Sequence, residues 1–161
     1  MAEILGMSSE DVIAILKLFI AAALGAIVGL EREYRHKPAG LRTHILVCIA
    51  SCLFVTIGSG FYTTPDSFAR MAAAIATGLG FIGAGNIFVS TQAEKTGDHP
   101  VQGLTTAASI WMVGAIGVCV GMGKYFLAVV ASLLTVSTLL WISWDIKIEA
   151  KANGKKREEK K

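Results

Sequence analysis

Charged side chains are scarce in this sequence, and five long stretches contain almost none. Charged residues make up 17% of the 161 residues and hydrophobic ones 53%, which excludes an ordinary soluble domain with charges spread over its surface. Each stretch is long enough to cross a hydrocarbon core of roughly 30 Å as a helix. The sequence therefore predicts an all-α integral membrane protein, a bundle of five transmembrane helices. The predicted spans are residues 12–30, 43–61, 68–89, 104–121 and 125–144.

The sequence also lacks the residue spacings that enzymes and metalloproteins need. It contains three cysteines and three histidines, without a zinc-ligand spacing, a phosphate-binding loop or a Ser-His-Asp set. The cysteines, Cys48, Cys52 and Cys119, lie inside predicted spans and are interpreted as small packing residues. We expect no enzymatic activity, no nucleic-acid partner and no cofactor, with magnesium considered only as a ligand or a substrate.

Lysine and arginine are missing from residues 1–11 and are concentrated on alternate loops. The first loop holds four of them, and the segment after residue 145 holds seven. Positively charged loops stay in the cytoplasm, which predicts an external N-terminus and a cytoplasmic C-terminus. The domain organisation is then a short external segment (1–11), a five-helix membrane domain (12–145) and a charged cytoplasmic tail (146–161) without regular structure.

Seventeen glycines give the predicted spans many positions for close helix packing. In lipid, helices associate through van der Waals contact between small residues, and Gly25 and Gly29 have the spacing for it. The third span adds four more glycines, which are Gly78, Gly80, Gly83 and Gly85. We expect this span at the centre of the bundle. An alternative is a helix broken at these glycines, whose free carbonyls line an ion path.

Two charged residues at the start of the third span need a partner or a role. Asp66 and Arg70 are four residues apart on one helix face, so an ion pair is the simplest interpretation, with gating or substrate binding as the alternative. Small residues follow Arg70 on the same face, and they are Ala73, Thr77, Gly80 and Ala84. Lys17, in the first span, is expected to extend to the outer surface.

Further polar residues flank the spans at the predicted inner surface. They are Glu31, Glu33, His44, Asn86, Asp98 and His99. If they converge, they provide oxygen ligands and a proton acceptor for a magnesium or proton site; the alternative is solvated loop charges with a capping histidine. Thr43 is expected to cap the second helix, and Thr105 or Thr106 the fourth.

Four sequence blocks follow one another in a defined order and spacing. They are Gly-Leu-Glu-Arg-Glu (29–33), Pro-Ala-Gly-Leu-Arg-Thr-His (38–44), Gly-Leu-Gly-Phe-Ile-Gly-Ala-Gly (78–85) and Gly-Leu-Thr-Thr-Ala-Ala-Ser-Ile-Trp (103–111). Together they resemble the membrane domain of the MgtC/SapB family, over about residues 12–145. Motif positions of that family are occupied here by Arg42, Thr43, Thr105 and Thr106.

The resemblance implies a multi-pass protein of a bacterial or archaeal inner membrane, linked to magnesium homeostasis and adaptation to low magnesium. Virulence-related members of the family are similar to regulators of other membrane machinery, such as the F-type ATP synthase, rather than to direct magnesium transporters. The expected partners are the lipid bilayer, a second copy of the chain and a membrane protein complex. The alternative is a transporter or channel for magnesium or another cation.

The sequence departs from the family pattern at several polar positions. Pro65 and Asp66 stand in the reverse of the usual order, Ala74 replaces a common glutamine, and Gln102 replaces a common arginine. We also expect none of the soluble cytoplasmic domain that longer members carry. These changes argue against transferring the family's polar network to this chain.

Overall fold

The computed structural model describes residues 8–61, 64–89 and 101–158, and its main elements are five α-helices. The helices are α1 (Ser9–Tyr34), α2 (Leu41–Phe61), α3 (Pro65–Ala84), α4 (Leu104–Gly121) and α5 (Tyr125–Glu158). Two short strands, β1 (Phe88–Val89) and β2 (Val101–Gln102), lie between α3 and α4. The predicted all-helical architecture is confirmed.

Four of the described helices are long and apolar enough to cross a membrane. They are α1, the Leu41–Gly58 part of α2, α3 and α4. The apolar part of α5 is shorter and covers Tyr125–Trp141. Four candidate spans therefore have support from length and composition, whereas the fifth crossing and the orientation of the termini stay predictions.

The first helix begins at Ser9 rather than at residue 12, because its first turn is capped. The amide N–H of Ser8 donates to Asp11 Oδ2 at 2.8 Å, and the amide N–H of Asp11 donates to Ser8 Oγ at 3.2 Å. This reciprocal pair satisfies donors that a helix leaves free at its N-terminus. Residues 9–11, assigned above to the external segment, are therefore helical.

The apolar core lies between α1, α2 and α4. Within the candidate spans, 50% of α4 is buried but only 17% of α3, so α4 is the central helix. The expectation that the third span lies at the centre is wrong. The small side chains of α3 bury little area, whereas α4 brings Ile110, Val113 and Ile116 into the core.

Glycines of α1 and α4 allow both helices to approach α2 closely. A Cβ atom added to Gly25 would lie 2.8 Å from the carbonyl oxygen of His44, and one added to Gly121 would lie 2.6 Å from Val55 Cβ. Gly29 faces the start of α2 in the same way. A side chain at these positions would push the helices apart, so the glycines set the distance between them.

The third helix is unbroken as far as Ala84. The amide N–H of Gly85 still donates to the carbonyl oxygen of Phe81 at 3.2 Å, so the helix is not broken at Gly78, Gly80 or Gly83, and the alternative of a break at these glycines is wrong. The chain then turns, and Phe88–Val89 pairs antiparallel with Val101–Gln102. The predicted span 68–89 is therefore too long at its end, because strand pairing replaces the helix there.

The fourth helix begins after a glycine that no other residue replaces easily. Gly103 is the N-cap, with a φ of 89° in the left-handed region and no side-chain cap. Thr105 and Thr106 lie in the first turn of α4, and Thr43 lies inside α2. The prediction that these threonines cap the helices is therefore wrong, since each helix begins before them.

The fifth helix continues through residues 146–158 to Glu158. The prediction that this charged segment has no regular structure is wrong. Alanine, lysine, glutamate and arginine, which dominate the segment, all have high intrinsic helix propensity. A helix can therefore continue here without an apolar face.

Lys17 does not simply extend to the outer surface, as the sequence analysis expected. Its Nζ donates a hydrogen bond to the carbonyl oxygen of Gly121 at 2.9 Å. Gly121 is the last residue of α4, where carbonyl groups lack partners within the helix and the helix dipole favours a cation. Lys17 thus joins α1 to the C-terminus of α4.

Replacing Lys17 with methionine should lower the free energy of unfolding by about 1–2 kcal/mol. The carbonyl at the end of α4 would lose a charged donor inside the bundle. Denaturation of the purified protein in mild detergent measures the difference. Lys124, with an exposed side chain just beyond α4, is the matched control, and an equal loss in Lys124→Met would contradict the role given to Lys17.

Candidate functional site

Three charged residues meet at the C-terminal end of α1. Glu31 is 8% exposed and Arg32 only 3%, while Arg35 is half-buried. Arg35 Nε lies 2.6 Å from Glu31 Oε1, and Arg32 Nη1 lies 3.4 Å from Glu31 Oε2. One carboxylate is thus shared by two guanidinium groups, and we call Glu31, Arg32 and Arg35 the charged cluster.

The two arginines of the charged cluster depend on the single carboxylate of Glu31 for charge compensation. Removing charges from water is costly unless they are paired, and two positive charges share one negative charge here. Arg32 Nε has no hydrogen-bond partner among the described residues. The C-terminal position on α1 favours positive charge, but Glu31 is the group that compensates both arginines.

Glu33 follows Glu31 by two residues and has a different neighbour. Its Oε2 accepts a hydrogen bond from the amide N–H of Leu41 at 3.0 Å. Leu41 is the first residue of α2, where free N–H groups and the helix dipole favour a carboxylate. Glu33 therefore stabilises the turn between α1 and α2 and stays exposed.

His44 connects α2 to α4 and is fully buried, at 0% exposure. Its Nδ1 lies 2.8 Å from the carbonyl oxygen of Gly40, and its Nε2 lies 3.0 Å from Ser109 Oγ. Ser109 Oγ in turn lies 2.8 Å from the carbonyl oxygen of Thr106. A chain of three hydrogen bonds thus runs from the start of α2 into the first turns of α4.

Asn86 does not join this chain of hydrogen bonds. It lies in the turn after α3, and its Nδ2 donates to the carbonyl oxygen of Ile82 at 3.0 Å. The side chain therefore satisfies a carbonyl at the C-terminal end of α3. Asp98 and His99, which the sequence analysis placed near it, lie outside the described residues.

Asp66 and Arg70 are exposed on the first turns of α3. Among the described side chains, the ion pairs within 4.0 Å are those that Glu31 makes with Arg32 and Arg35. The ion pair expected between Asp66 and Arg70 is therefore not formed. Both side chains lie on the exposed face of α3, where they can contact groups outside this chain.

The described residues do not form a metal centre. Within 8–61, 64–89 and 101–158, no three His, Cys, Asp or Glu side chains come together as a group that could hold a metal ion. Glu31 is engaged by arginines and Glu33 by the start of α2. The two carboxylates proposed as magnesium ligands therefore stabilise the fold.

Sequence reasoning missed two important partners. The four-residue spacing of Glu31 and Arg35 on one helix is a recognised signal for an ion pair, so Arg35 was predictable. Ser109 was not, because it lies 65 positions from His44, and their contact depends on how α2 and α4 are rotated against each other.

Two grooves on the described surface are mainly apolar. One has a volume of about 830 Å³ and lies between α2 and α3, where Phe54, Gly78 and Leu79 line it. The other has a volume of about 780 Å³ and lies between α4 and α5, beside Trp111 and Thr138. Their linings suit acyl chains or apolar helices better than a polar substrate.

Three known proteins are similar to this chain over most of its length. "Putative magnesium transporter YhiD" of Escherichia coli (strain K12) is 40% identical over 132 residues, which are 78% of this chain and 58% of that protein. Protein MgtC of Salmonella typhimurium (strain 14028s / SGSC 2262) is 42% identical over 120 residues, 74% of this chain and 48% of that protein. Protein SrpB of Synechococcus elongatus is 36% identical over 129 residues, 76% of this chain and 71% of that protein.

The chain spans about half the length of YhiD and MgtC, at 58% and 48%. No solved structure matches it. The model of the MgtC family matches residues 18–145, a range that contains α2, α3 and α4 together with the charged cluster and His44. Because this match covers most of the sequence, the chain belongs to the MgtC family.

Proposed function

We propose that this protein is a non-enzymatic, multi-pass protein of the inner membrane that serves magnesium homeostasis by binding and regulating other membrane proteins. The observation that carries the proposal is the exposed small-residue face of α3, which consists of Arg70, Ala73, Thr77, Gly80 and Ala84. A Cβ atom added to Gly80 would meet no other atom within 4 Å. This face is open in the single chain.

The small-residue face of α3 is unlike an ordinary lipid-facing surface. The exposed surface of α5 provides the comparison, because it carries large apolar side chains such as Phe126, Leu133 and Leu134. Such residues cover a helix that faces acyl chains, whereas alanine, glycine and threonine are enriched where helices meet. The contrast within one chain supports a protein partner for α3.

Physical chemistry gives two reasons for a second helix to pack on α3. Small residues let backbones approach closely, which supplies van der Waals contact that lipid does not replace equally well. Arg70 adds a charge about 7 Å from the start of α3, and charges in membrane segments tend to find partners. A partner helix with an acidic or amide side chain near its outer end would satisfy both features.

The proposal is tested by purifying the tagged protein, expressed at native level, from native membranes in mild detergent. Wild-type protein should carry a defined membrane partner, and Gly80→Leu should reduce its recovery about tenfold or more, the equivalent of about 1.4 kcal/mol. The purified material would be analysed by mass spectrometry. It would also be probed for F-type ATP synthase subunits and for a second, differently tagged copy.

Val129 lies on the exposed surface of α5, which carries large apolar side chains. Val129→Leu is the matched control, because it adds side-chain volume to that surface. It should retain the partner. The proposal fails when wild-type protein purifies alone under these conditions, or when Gly80→Leu retains the same partner as wild type.

A second candidate function is transport of magnesium or another cation. The buried charged cluster favours it, because ionisable groups inside membrane proteins often mark ion pathways. Reconstituted vesicles would then show cation flux for the wild-type protein that falls in Arg70→Ala, a substitution of an exposed side chain. Flat flux under magnesium, proton and sodium gradients would exclude this candidate and leave the regulatory proposal standing.

A further inference from the structure

The hydrogen bonds around His44 contain more acceptors than hydrogens. The carbonyl oxygen of Gly40, 2.8 Å from Nδ1, only accepts, so Nδ1 must carry a proton. The hydroxyl of Ser109 has one hydrogen but two acceptors within reach, which are His44 Nε2 at 3.0 Å and the carbonyl oxygen of Thr106 at 2.8 Å. In the neutral histidine, these two acceptors compete for the same hydrogen.

The protonated histidine removes this competition. With a proton on each ring nitrogen, Nδ1 donates to Gly40, Nε2 donates to Ser109 Oγ, and the Ser109 hydroxyl donates to Thr106. Every hydrogen bond then has its own hydrogen. The 3.0 Å distance between His44 Nε2 and Ser109 Oγ therefore fits a hydrogen bond in either direction. The charge on His44 decides which of the two atoms is the donor.

We infer that His44 is a proton-binding site that controls the hydrogen bonding between α2 and α4. A proton from water binds Nε2, the His44–Ser109 hydrogen bond reverses its direction, and the Ser109 hydroxyl hydrogen rotates to the Thr106 carbonyl oxygen. A hydronium ion is the donor, so one O–H bond breaks, one N–H bond forms and a water molecule is released. This inference does not rest on the partner proposed for α3.

The groups that surround His44 make its charge sensitive to the charged cluster. The ring of His44 is fully buried, and burial is the strongest influence on it and opposes the imidazolium. The hydrogen bond to the Gly40 carbonyl favours the imidazolium; from α1, the Arg32 guanidinium opposes it and the Glu31 carboxylate favours it. Arg35 acts through its ion pair with Glu31. On α2 itself, Arg42 is two residues before His44 and the buried thiol of Cys48 is one turn after it, and α4 carries no charged side chain.

Ser109 and Thr106 are well placed to report the proton. Both are 3% exposed, so water does not replace their hydrogen bonds. A change of donor at Ser109 must therefore appear at the Thr106 carbonyl. Protonation at the start of α2 thus has a defined consequence on α4.

Nuclear magnetic resonance on the full chain in lipid vesicles tests the inference. The chain would carry ¹⁵N-labelled histidine and ¹³C-carbonyl-labelled threonine, and His44→Gln and Thr106→Ser would identify the two signals. Between about pH 8 and about pH 4, a range extended downward because burial opposes the imidazolium, Nε2 should change from an acceptor nitrogen to a protonated one while Nδ1 stays protonated. The Thr106 carbonyl signal should move with the same midpoint.

Ser109→Ala should abolish the response of the Thr106 carbonyl, and Ser109→Thr, which keeps the hydroxyl, should retain it. Ser132→Ala is the matched control, because Ser132 Oγ makes a similar buried hydrogen bond to the carbonyl oxygen of Ala128. It should leave the response unchanged. The inference is overturned when Nε2 keeps one protonation state over this range. A Thr106 signal that stays constant, or that moves equally in Ser109→Ala, overturns it too.

Discussion

Replacing Gly25 with leucine should prevent the stable association of α1 with α2. A Cβ atom at this position would lie 2.8 Å from the carbonyl oxygen of His44 and 2.9 Å from Cys48 Cβ, and the remaining leucine atoms would extend the overlap. Overpacking typically costs about 1–3 kcal/mol when neighbours can move. Backbone atoms of a packed helix cannot move freely, so we expect a loss of at least about 3 kcal/mol.

Gly80→Leu provides the internal comparison, because the same substitution there meets open space. Leucine also favours the helical conformation over glycine, by up to about 1 kcal/mol of helix-propensity free energy. Gly80→Leu should therefore remain a monodisperse protein with unchanged or slightly raised thermal stability. Size-exclusion chromatography and thermal denaturation in mild detergent measure both variants. Equal instability of the two would contradict the packing described for α1, α2 and α3.

Replacing Glu31 with glutamine should lower the free energy of unfolding by about 3–5 kcal/mol. The substitution leaves Arg32, which is 3% exposed, and the half-buried Arg35 without a compensating charge. Removing one partner of a buried ion pair costs more stability than the intact pair contributes, because the remaining charges stay desolvated without a partner. Chemical denaturation of the purified protein gives the value.

Glu33→Gln is the control for the charged cluster. Glu33 is exposed and stabilises the first residue of α2 through one hydrogen bond, so its loss should cost about 1 kcal/mol. Similar losses in Glu31→Gln and Glu33→Gln would contradict the assignment of Glu31 as the carboxylate shared by both arginines.

Helix positions could be predicted from this sequence, but helix neighbours could not. Continuous apolar runs determine where helices form in a membrane protein, because backbone groups must be satisfied within each segment. They do not determine which face of a helix meets another chain segment. The third span shows the difference, since its glycines and alanines indicate close packing in general, whereas Ala73, Gly80 and Ala84 are exposed in the single chain and Gly83 is buried against α4.

Polar contacts within the site were predictable only where they are local. Glu31 and Arg35 pair across one helical turn, a relation visible in the sequence. The contacts of His44 with Ser109 and of Lys17 with Gly121 join different helices. Such contacts depend on the packing of α1, α2 and α4, which sequence periodicity does not specify.

Some of the errors at helix ends have a common physical cause. Threonine side chains are the capping signals in the sequence, whereas the N-cap of α4 is Gly103 in the left-handed conformation. The amide N–H of Leu41, at the start of α2, donates its hydrogen bond to Glu33 Oε2, eight residues earlier. Both solutions use groups outside the local capping pattern, so local propensity did not reveal them.

In-cell photo-crosslinking is the most direct test of the proposal that the small-residue face of α3 binds another membrane protein. A benzophenone amino acid would replace Gly80 on α3 or, as a control, Leu133 on the exposed surface of α5. We expect a discrete crosslink at position 80 to the protein that co-purifies with wild type, and none at position 133. Absence of a protein crosslink at position 80, or the same crosslinks at both positions, would contradict it.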